Sequence, residues 1–423
     1  MTPAPANAPR AFLEALFAEA VAAADPMKVL PAHLPQRPKG RLIVIGAGKA
    51  SARMAEAVEA HCGPCEGLVI TRYGYARPCK GIEIVEAAHP VPDAAGVAAT
   101  ERLLDLVQDL TADDLVLALI SGGGSSLLCA PVEGLSLDDM VAVNAALLAS
   151  GAPISEMNAI RKQLSRVKGG KLAAACHPAR VLSLLISDVP GDDPAIIASG
   201  PTVGAAAGLD ALEIVSRRGI ELPAHVLTAL ASAPPALAPD DRRLVRTETR
   251  IVAAPSQSLD AAAGIAKAAG CDVHLLGDAL EGEARDLGVA QAAMAVELKA
   301  AMTPASRPIL LLSGGECTVT RRGDGIGGPN AEFVLAAILE LDGTPGIHAL
   351  ACDTDGVDGA AEVAGAYAGP SSLQSADQLG LSATDALSRN DAHRFFERIG
   401  GQVVTGPTLT NVNDFRAILV DRP

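Results

Sequence analysis

Short apolar runs alternate with amphipathic stretches along the first 190 residues of the chain. Runs rich in leucine, valine and isoleucine predict strands at residues 41–45, 67–71, 82–85, 115–120 and 181–186. Apolar residues at helical spacing predict helices at residues 49–61, 93–109, 136–150 and 155–175. This alternation is typical of βαβ units, so it predicts a mostly parallel sheet flanked by helices.

The alternation starts again in the second half of the chain. Strands are predicted at residues 250–254, 272–275, 308–312, 348–351, 402–404 and 417–420. Helices are predicted at residues 258–269, 283–300, 330–341 and 391–398. Between the halves, residues 231–240 are rich in alanine and proline and show little periodicity. We therefore predict an α/β protein with a Rossmann-like N-terminal domain at 1–240 and a smaller C-terminal α/β domain at 241–423.

Length, composition and charge narrow the class of protein. A chain of 423 residues is long for one core, which favours two domains. Apolar runs such as residues 115–120 are far shorter than the ~18 residues of a membrane span, and the beginning of the chain predicts an amphipathic helix rather than a signal peptide. The eight cysteines are scattered, so we expect a cytoplasmic protein with free thiols.

The charge distribution restricts the ligands. The net charge of −15 disfavours nucleic acid and anionic membranes as partners. An anionic substrate must therefore be held by a local group of cations. Residues 154–171 form such a group, because they contain five cations, among them Arg161 and Lys162, and a single anion.

The most specific candidate site follows the fourth predicted strand. In a parallel α/β sheet, ligands bind where strands end at their carboxyl edge. Glycines there let backbone N–H groups approach an anion, and serines add further donors. The residues in this position are Ser121, Gly122, Gly123, Gly124, Ser125 and Ser126. They predict a cradle for a phosphate or carboxylate group.

Two other strand ends carry charged residues. Lys49 follows a glycine-rich turn, but Ser51 replaces the third glycine of a dinucleotide fingerprint and Ile43 replaces the first glycine of a Walker A loop. We interpret Lys49 as a functional cation near the start of a helix. Asp188 ends the fifth predicted strand and leads into an acidic, proline-rich loop with Asp192. Their oxygens suit Mg²⁺, and Asp188 alternatively suits a general base.

The second half repeats this arrangement at two strand ends. The segment 313–316 reads Ser-Gly-Gly-Glu, and the segment 353–359 reads Asp-Thr-Asp-Gly-Val-Asp-Gly. The second segment is similar to a calcium loop, but Ala364 replaces the glutamate that would close one. It is therefore either a substrate or metal loop of the second domain or a capping turn.

One motif is interpreted as having no function in catalysis. The segment Cys62-Gly63-Pro64-Cys65 matches the redox dithiol of thioredoxins. In those proteins the motif opens a helix, which lowers the pKa of the first thiol. Here it closes the helix predicted at 49–61, so we predict neither redox chemistry nor a zinc site.

These motifs together resemble one family over nearly the whole chain. The chain is similar to the type II glycerate 2-kinases, whose N-terminal part is the domain found with MOFRL and whose C-terminal part is the MOFRL domain. The resemblance rests on residues 45–51, 88–93, 120–128, 161–173, 186–193, 199–202, 312–316, 353–359 and 410–414.

The resemblance implies ATP and Mg²⁺ as cofactors, D-glycerate as substrate, 2-phosphoglycerate as product and a cleft between two domains. In that reaction the 121–126 cradle holds an anionic group, Lys49 neutralises phosphate charge, and Asp188 binds Mg²⁺ or accepts the hydroxyl proton. Arg161 and Lys162 would retain the glycerate carboxylate. The residues expected in the cleft from the second domain are Ser313, Gly314, Gly315, Glu316, Asp353, Asp355 and Asn413. Many relatives carry arginine where Pro329 stands.

Two other functions stay open at this point. Relatives are often labelled hydroxypyruvate reductases, and the first glycine-rich turn with Arg72 would suit an NAD(P)H enzyme if the third glycine were present. A sugar- or acid-binding sensor would keep the cradle and need neither Asp188 nor Mg²⁺. The sequence also leaves the oligomeric state, including a homo-oligomer, open.

Overall fold

The computed structural model describes residues 4–206, 210–359 and 361–423. The chain divides into two compact units. The N-terminal unit consists of Pro26–Asp188 and Asp192–Val252. The C-terminal unit consists of Met1–Asp25, Val189–Gly191 and Ala253–Pro423. Each unit contains a six-stranded sheet with helices, so the predicted two-domain α/β fold is confirmed.

The sheet of the N-terminal unit has the strand order β3-β2-β1-β4-β5-β6. Its strands are β1 Leu42–Ala47, β2 Glu66–Arg72, β3 Ile82–Ala87, β4 Leu115–Ile120, β5 Arg180–Ile186 and β6 Thr247–Ala253. Neighbouring strands from β3 to β5 pair in parallel. The central strand β4 is buried along its whole length, which explains its continuous apolar sequence. The order reverses between β1 and β4, and such a reversal is where doubly wound sheets bind ligands.

The helices of the N-terminal unit connect and cover these strands. They are α2 Pro26–Val29, α3 Ser51–Cys62, α4 Ala94–Leu106, α5 Gly124–Leu127, α6 Leu137–Ala149, α7 Ile154–Gln163, α8 Lys171–Ala175, α9 Ala211–Arg218 and α10 Ala224–Ser232. The single helix predicted at 155–175 is wrong. The chain leaves the helical conformation between α7 and α8, where Gly169 and Gly170 have φ angles of 61° and 83°.

The sheet of the C-terminal unit is mixed, with the strand order β13-β12-β11-β14-β9-β7. Its strands are β7 Asp272–Gly277, β9 Ile309–Gly315, β11 Ile347–Asp353, β12 Gly365–Ala368, β13 Gln402–Val403 and β14 Asp414–Val420. The short strands β8 Gly282–Glu283 and β10 Cys317–Thr318 pair with each other. Strand β14 runs antiparallel to both of its neighbours.

The helices of the C-terminal unit cover both faces of this sheet. They are α1 Pro9–Ala23, α11 Pro255–Ala268, α12 Ala284–Ala301, α13 Pro329–Leu341, α14 Ser372–Gln378, α15 Ala383–Ser388 and α16 Ala392–Ile399. Pro329 occupies the first turn of α13, where its missing N–H has no intrahelical partner to lose. In the part of the chain that the structure describes, no helix is both long and apolar enough to cross a membrane.

The N-terminal helix α1 belongs to the C-terminal unit. Phe12, Leu13 and Leu16 are buried, and the ring centroid of Phe17 lies 5.8 Å from that of Phe415 in β14. At the other end of the predicted first domain, residues 241–252 lead into and form most of β6, beside β5. The structure therefore divides the chain differently from the predicted 1–240 and 241–423. Composition marks a linker, whereas packing decides which sheet a terminal helix covers.

A buried ion pair in the C-terminal unit supports a prediction about stability. Glu332 in α13 has no exposed side-chain surface and accepts a hydrogen bond of 2.6 Å from Arg285 in α12. The Asn390 amide also donates to this carboxylate at 3.0 Å. Replacing Arg285 leaves a buried carboxylate without a counter-charge, so Arg285→Met should lower the free energy of unfolding by about 3–5 kcal/mol in urea denaturation.

Arg180→Met is the matched control for this prediction. Arg180 pairs with Glu248 at 2.8 Å, but both side chains are more than a third exposed. Exposed pairs contribute little, so the control should cost at most about 1 kcal/mol. Equal losses in the two variants would contradict the importance of the buried pair.

Candidate functional site

The glycine-rich loop after β4 packs directly against the turn after β1. The backbone N–H of Lys49 donates to the Gly122 carbonyl at 2.9 Å, and that of Ala50 donates to Ser121 Oγ at 3.0 Å. The hydroxyl oxygens of Ser51 and Ser121 lie 3.2 Å apart, and both residues are fully buried. Ser121 therefore uses its hydroxyl inside the protein, where it joins the two turns.

Two glycines make this close approach possible. A Cβ atom on Gly48, whose φ is 146°, would lie 2.1 Å from Ser121 Oγ. A Cβ atom on Gly123, whose φ is 78°, would lie 2.9 Å from the His89 ring and 3.3 Å from Lys49 Cγ. Side chains cannot occupy these positions without displacement of their neighbours. Gly123 thus marks the point where Lys49 and His89 approach the loop.

A cavity of about 420 Å³ opens beside this loop in the N-terminal unit. Helix α6 contributes an apolar wall that includes Met140, Val141 and Leu148. The polar part of the lining consists of His89, Ser125, Ser126, Asn144, Arg161 and Lys168. Among the described residues, the lining contains no aspartate or glutamate. The cavity therefore combines two cations and several hydrogen-bonding groups without a carboxylate.

Both cations in the lining are held by neutral groups. Arg161 Nε donates to Asn144 Oδ1 at 2.9 Å, and Lys168 Nζ donates to the Leu128 carbonyl at 2.8 Å. Burial lowers the pKa of the Arg161 guanidinium, and burial lowers the pKa of the Lys168 ammonium to about 8. Burying cations without a counter-charge costs free energy. An anion bound in the cavity would offset that cost.

Lys162 is not part of the described lining of this cavity, although the sequence suggested that it acts together with Arg161. An α-helix has 3.6 residues per turn, so the side chains of consecutive residues in α7 point in different directions. Lys162 Nζ donates to the Ala195 carbonyl at 2.8 Å and does not belong to the described lining of the cavity. Sequence reasoning counted Lys168 only as part of the basic cluster and used His89 only within the family motif at 88–93. Those two signals could have identified both residues.

The acidic loop after β5 lies at the same edge of the sheet. Asp188 follows β5, which is separated from β1 by β4 alone. Asp192 has a φ of 55°, and its Oδ1 atom is buried without a hydrogen-bond partner among the described residues. The described residues contain no group of three or more histidine, cysteine, aspartate or glutamate side chains that could hold a metal. Mg²⁺ is commonly bound through one or two carboxylates with water and substrate phosphates, so Asp188 and Asp192 fit that chemistry.

The residues predicted from the first strand end of the C-terminal unit serve mainly its architecture. The hydroxyl of Ser313 is buried and bonded to the Gln291 amide at 3.0 Å. The carbonyl of Gly314 accepts from Arg416, and a Cβ atom on Gly315 would lie 2.3 Å from the Leu280 backbone. Glu316 is exposed. Their role in binding a ligand stays a prediction.

The acidic segment 353–359 is held by its own carboxylates. Asp353 accepts from the Asp355 N–H at 2.9 Å, and Asp355 accepts from the Val357 N–H at 2.8 Å. Asp358 accepts from the first N–H groups of α13, those of Asn330 and Ala331, both at 2.9 Å. Asp358 therefore caps the start of α13, which agrees with the second of the two alternatives left open by the sequence. Binding of substrate or metal through Asp353 and Asp355 stays a prediction.

Asn413 precedes β14 with a left-handed backbone. Its φ is 63°, and its carbonyl accepts from the Thr354 N–H at 3.2 Å and the Thr354 hydroxyl at 2.7 Å. Its Nδ2 atom is buried and has no hydrogen-bond partner among the described residues. Asn413 therefore joins β14 to the acidic segment and keeps an unused donor.

The cysteine pair behaves as a structural feature. Helix α3 ends at Cys62, and both Cys62 and Cys65 are free thiols. Burial raises the pKa of each thiol, whereas a reactive dithiol needs a lowered one. This geometry supports the interpretation that the pair does no redox chemistry.

Comparison with known proteins relates this architecture to two domain families. Residues 12–231 match the domain of unknown function DUF4147, and residues 309–414 match the MOFRL family. A D-glycerate 2-kinase of Thermotoga maritima is 37% identical over 400 residues, which cover 94% of each chain. A protein of Agrobacterium vitis that carries a provisional hydroxypyruvate reductase name is 50% identical over 416 residues, covering 97% of this chain and 94% of its own.

A solved structure gives the same relationship. The crystal structure of glycerate kinase from Thermotoga maritima matches with a TM-score of 0.85 at 36% identity, over 96% of this chain and 98% of that chain. The fold and these relatives together define a two-domain α/β enzyme of the kinase class. The chain belongs to the glycerate kinase family that combines a DUF4147 domain with a MOFRL domain.

The contact at Gly123 yields a prediction about kinase activity. An alanine side chain at this position would displace the His89 ring or the Lys49 side chain, and small displacements of such groups can cost up to about 100-fold in rate. Gly123→Ala should therefore lower glycerate kinase activity by at least about 10-fold, measured as initial rates on protein shown to be folded by thermal melting.

Gly134→Ala controls for the strain of the backbone alone. Gly134 has a φ of 84°, close to that of Gly123, but a Cβ atom there would meet nothing within 4 Å. Both variants pay about 1–2 kcal/mol for a left-handed alanine. Similar activities of the two variants would show that the contact with Lys49 and His89 is unimportant.

Proposed function

We propose that this protein transfers the γ-phosphate of ATP to the 2-hydroxyl of D-glycerate and releases 2-phosphoglycerate. The observation that carries this proposal is the cavity with the buried Lys168, the partly buried Arg161 and no carboxylate in its described lining, next to the glycine-rich loop and Lys49. Such a cavity suits the oxygen anions of a hydroxy acid and a nucleotide. The relatives named glycerate kinase support the choice of reaction.

Phosphoryl transfer needs neutralised charge, aligned groups and an acceptor for the hydroxyl proton. Lys49 is suited to neutralise charge that develops on the transferred phosphate, because its side chain lies beside Gly123. The backbone N–H groups of Gly122 and Gly123, with the hydroxyl of Ser125, would offer donors to an anionic group, whereas the Gly124 N–H and the Ser126 hydroxyl donate within the loop. Ser125 is positioned by Ser199, whose hydroxyl lies 2.8 Å away.

The carboxylates of the loop after β5 complete the proposed assignment. Asp188 would accept the proton of the 2-hydroxyl or bind Mg²⁺, and Asp192 would bind the ion through its buried Oδ1 atom. When bound, Mg²⁺ would withdraw charge from the phosphate oxygens of ATP. Arg161 would hold the carboxylate of glycerate. The expected cytoplasmic location and the absence of a nucleic-acid partner rest on composition and remain predictions.

The hydroxypyruvate reductase name of some relatives fits this site less well. A dinucleotide-binding turn exposes its backbone N–H groups to the pyrophosphate. Here the N–H groups of Lys49 and Ala50 donate to Gly122 and Ser121, so the loop after β4 already occupies that position. The third glycine of the fingerprint is also replaced by the buried Ser51.

The proposed reaction predicts ADP formation that depends on both D-glycerate and Mg²⁺. The purified protein should convert Mg-ATP and D-glycerate to 2-phosphoglycerate, identified by NMR of the product. Hydroxypyruvate with NADPH should give no turnover. Formation of 3-phosphoglycerate, or NADPH oxidation without use of ATP, would overturn the proposal.

Two substitutions test the assigned roles. Lys49→Ala should lower kcat by about 100- to 1000-fold with a smaller effect on binding, since it removes one electrostatic stabiliser of the transition state. Asp188→Asn keeps the shape but removes the charge, so it should abolish most turnover. An altered Mg²⁺ requirement would identify a ligand, and an altered pH profile with an unchanged requirement would identify the base.

Lys39→Ala is a suitable control, because Lys39 is exposed and precedes β1. It should retain the activity of the unsubstituted protein. Near-normal kinetics of Asp188→Asn would mean that Asp188 only caps the following turn, and the assignment would then be withdrawn.

A further inference from the structure

Lys168 is a buried cation whose hydrogen-bonding capacity the protein leaves largely unused. Its side chain is 6% exposed and lines the cavity beside the glycine-rich loop. Within the described residues, its ammonium makes one hydrogen bond, to the Leu128 carbonyl at 2.8 Å. An ammonium carries three N–H donors, so this arrangement leaves two donors for another partner.

The nearby Lys171 shows how the protein satisfies a lysine that serves the fold. Its ammonium donates to the carbonyls of Lys162, Ser165 and Pro234 at 2.8–2.9 Å and to that of Gln163 at 3.4 Å. It thereby ties the end of α7 to the linker after α10. In the part of the chain that the structure describes, Lys168 has one acceptor, whereas Lys171 has four. The difference indicates that the missing acceptors come from a ligand.

Among the described residues, no carboxylate forms an ion pair with Lys168. Burial is the main cause that lowers the pKa of Lys168. The positive charge of Arg161, which lines the same cavity, also lowers it. The Cys129 thiol also lines the cavity, and burial raises its pKa, which keeps it neutral. The apolar wall from α6 lowers the local dielectric constant, which strengthens any interaction of these cations with an anion.

We propose that Lys168, together with Arg161, forms the receptor for an anionic oxygen group of the substrate and selects charged ligands over neutral ones. The ligand's identity as a substrate rests on the proposed function. A group with two oxygens can accept hydrogen bonds from both cations at once. A neutral analogue would leave the charges of the buried Lys168 and the partly buried Arg161 unpaired, and sites of this kind reject such analogues strongly. Lys168 thus takes the place that the sequence assigned to Lys162.

The anionic group has two sources in the proposed reaction, the carboxylate of glycerate and a phosphate of ATP. Isothermal titration with D-glycerate, with glycerol and with Mg-AMP-PNP distinguishes them. Glycerol has the same carbon chain with a neutral alcohol in place of the carboxylate. The unsubstituted protein should bind D-glycerate or the nucleotide at this receptor and should not bind glycerol.

The decisive variant is Lys168→Met, which keeps much of the side-chain length and removes the charge. It should weaken binding of the anion at the receptor by about 10- to 100-fold, the scale of a lost charged hydrogen bond. In steady-state kinetics the effect should appear mainly in KM for that ligand. Since a buried charge is removed, the melting temperature without ligand should stay the same or rise.

Two further variants separate charge from structure. Lys168→Gln retains a donor for the Leu128 carbonyl and should lose the same affinity, which keeps the test decisive if the methionine variant does not fold. Lys162→Met removes a buried lysine that donates to Ala195 outside the cavity lining, and it should leave affinity unchanged.

The outcomes identify the ligand group or overturn the proposal. Loss of D-glycerate affinity alone supports a carboxylate receptor, and loss of nucleotide affinity alone supports a phosphate receptor. Unchanged affinity for both ligands in the Lys168 variants, or an equal loss in Lys162→Met, would overturn the proposal. Binding of D-glycerate without ADP formation by the unsubstituted protein would overturn the proposed function and leave the receptor intact.

Discussion

The contact between Gly48 and Ser121 holds together the two strand ends on which the candidate site depends. Because a Cβ atom on Gly48 would lie 2.1 Å from Ser121 Oγ, the turn after β1 can approach the loop after β4 only with glycine in that position. Ser121 then accepts from the Ala50 N–H and contacts Ser51. The position of Lys49 beside Gly123 follows from this packing, as does the exposure of the rest of the loop to the cavity.

Buried charges have different partners in the two units. In the C-terminal unit, Glu332 is paired with Arg285, and Arg416 lies 3.2 Å from Asp414, whose pKa is raised to about 6 by burial in spite of that arginine. These charges are compensated within the protein and specify its packing. In the cavity of the N-terminal unit, Arg161 and Lys168 have neutral partners. Compensated charges stabilise a fold, whereas uncompensated ones favour a bound ion.

Some elements of the fold lack a readable signal in the sequence. Strand β12 consists of Gly-Ala-Tyr-Ala, in which only the tyrosine favours strands, and it forms because β11 and β13 pair with its two edges. The helices α9, α10, α14 and α15 were also absent from the sequence prediction, since they are only six to nine residues long. Such short helices are stabilised by tertiary packing more than by propensity.

The apolar runs of the chain were sufficient to predict both sheets and to locate Lys49, Ser121 and Asp188 at strand ends, because strand formation and the parallel βαβ arrangement follow from local patterns. The pattern could not show which side chains of the basic cluster enter the cavity. That choice depends on the end of α7 at Gln163, because Lys168 lies beyond it in a non-helical segment and lines the cavity, while Lys162 is still helical and reaches Ala195. The placement of helix α1 on the C-terminal sheet likewise came from contacts between residues hundreds of positions apart, and local sequence carries no record of such contacts.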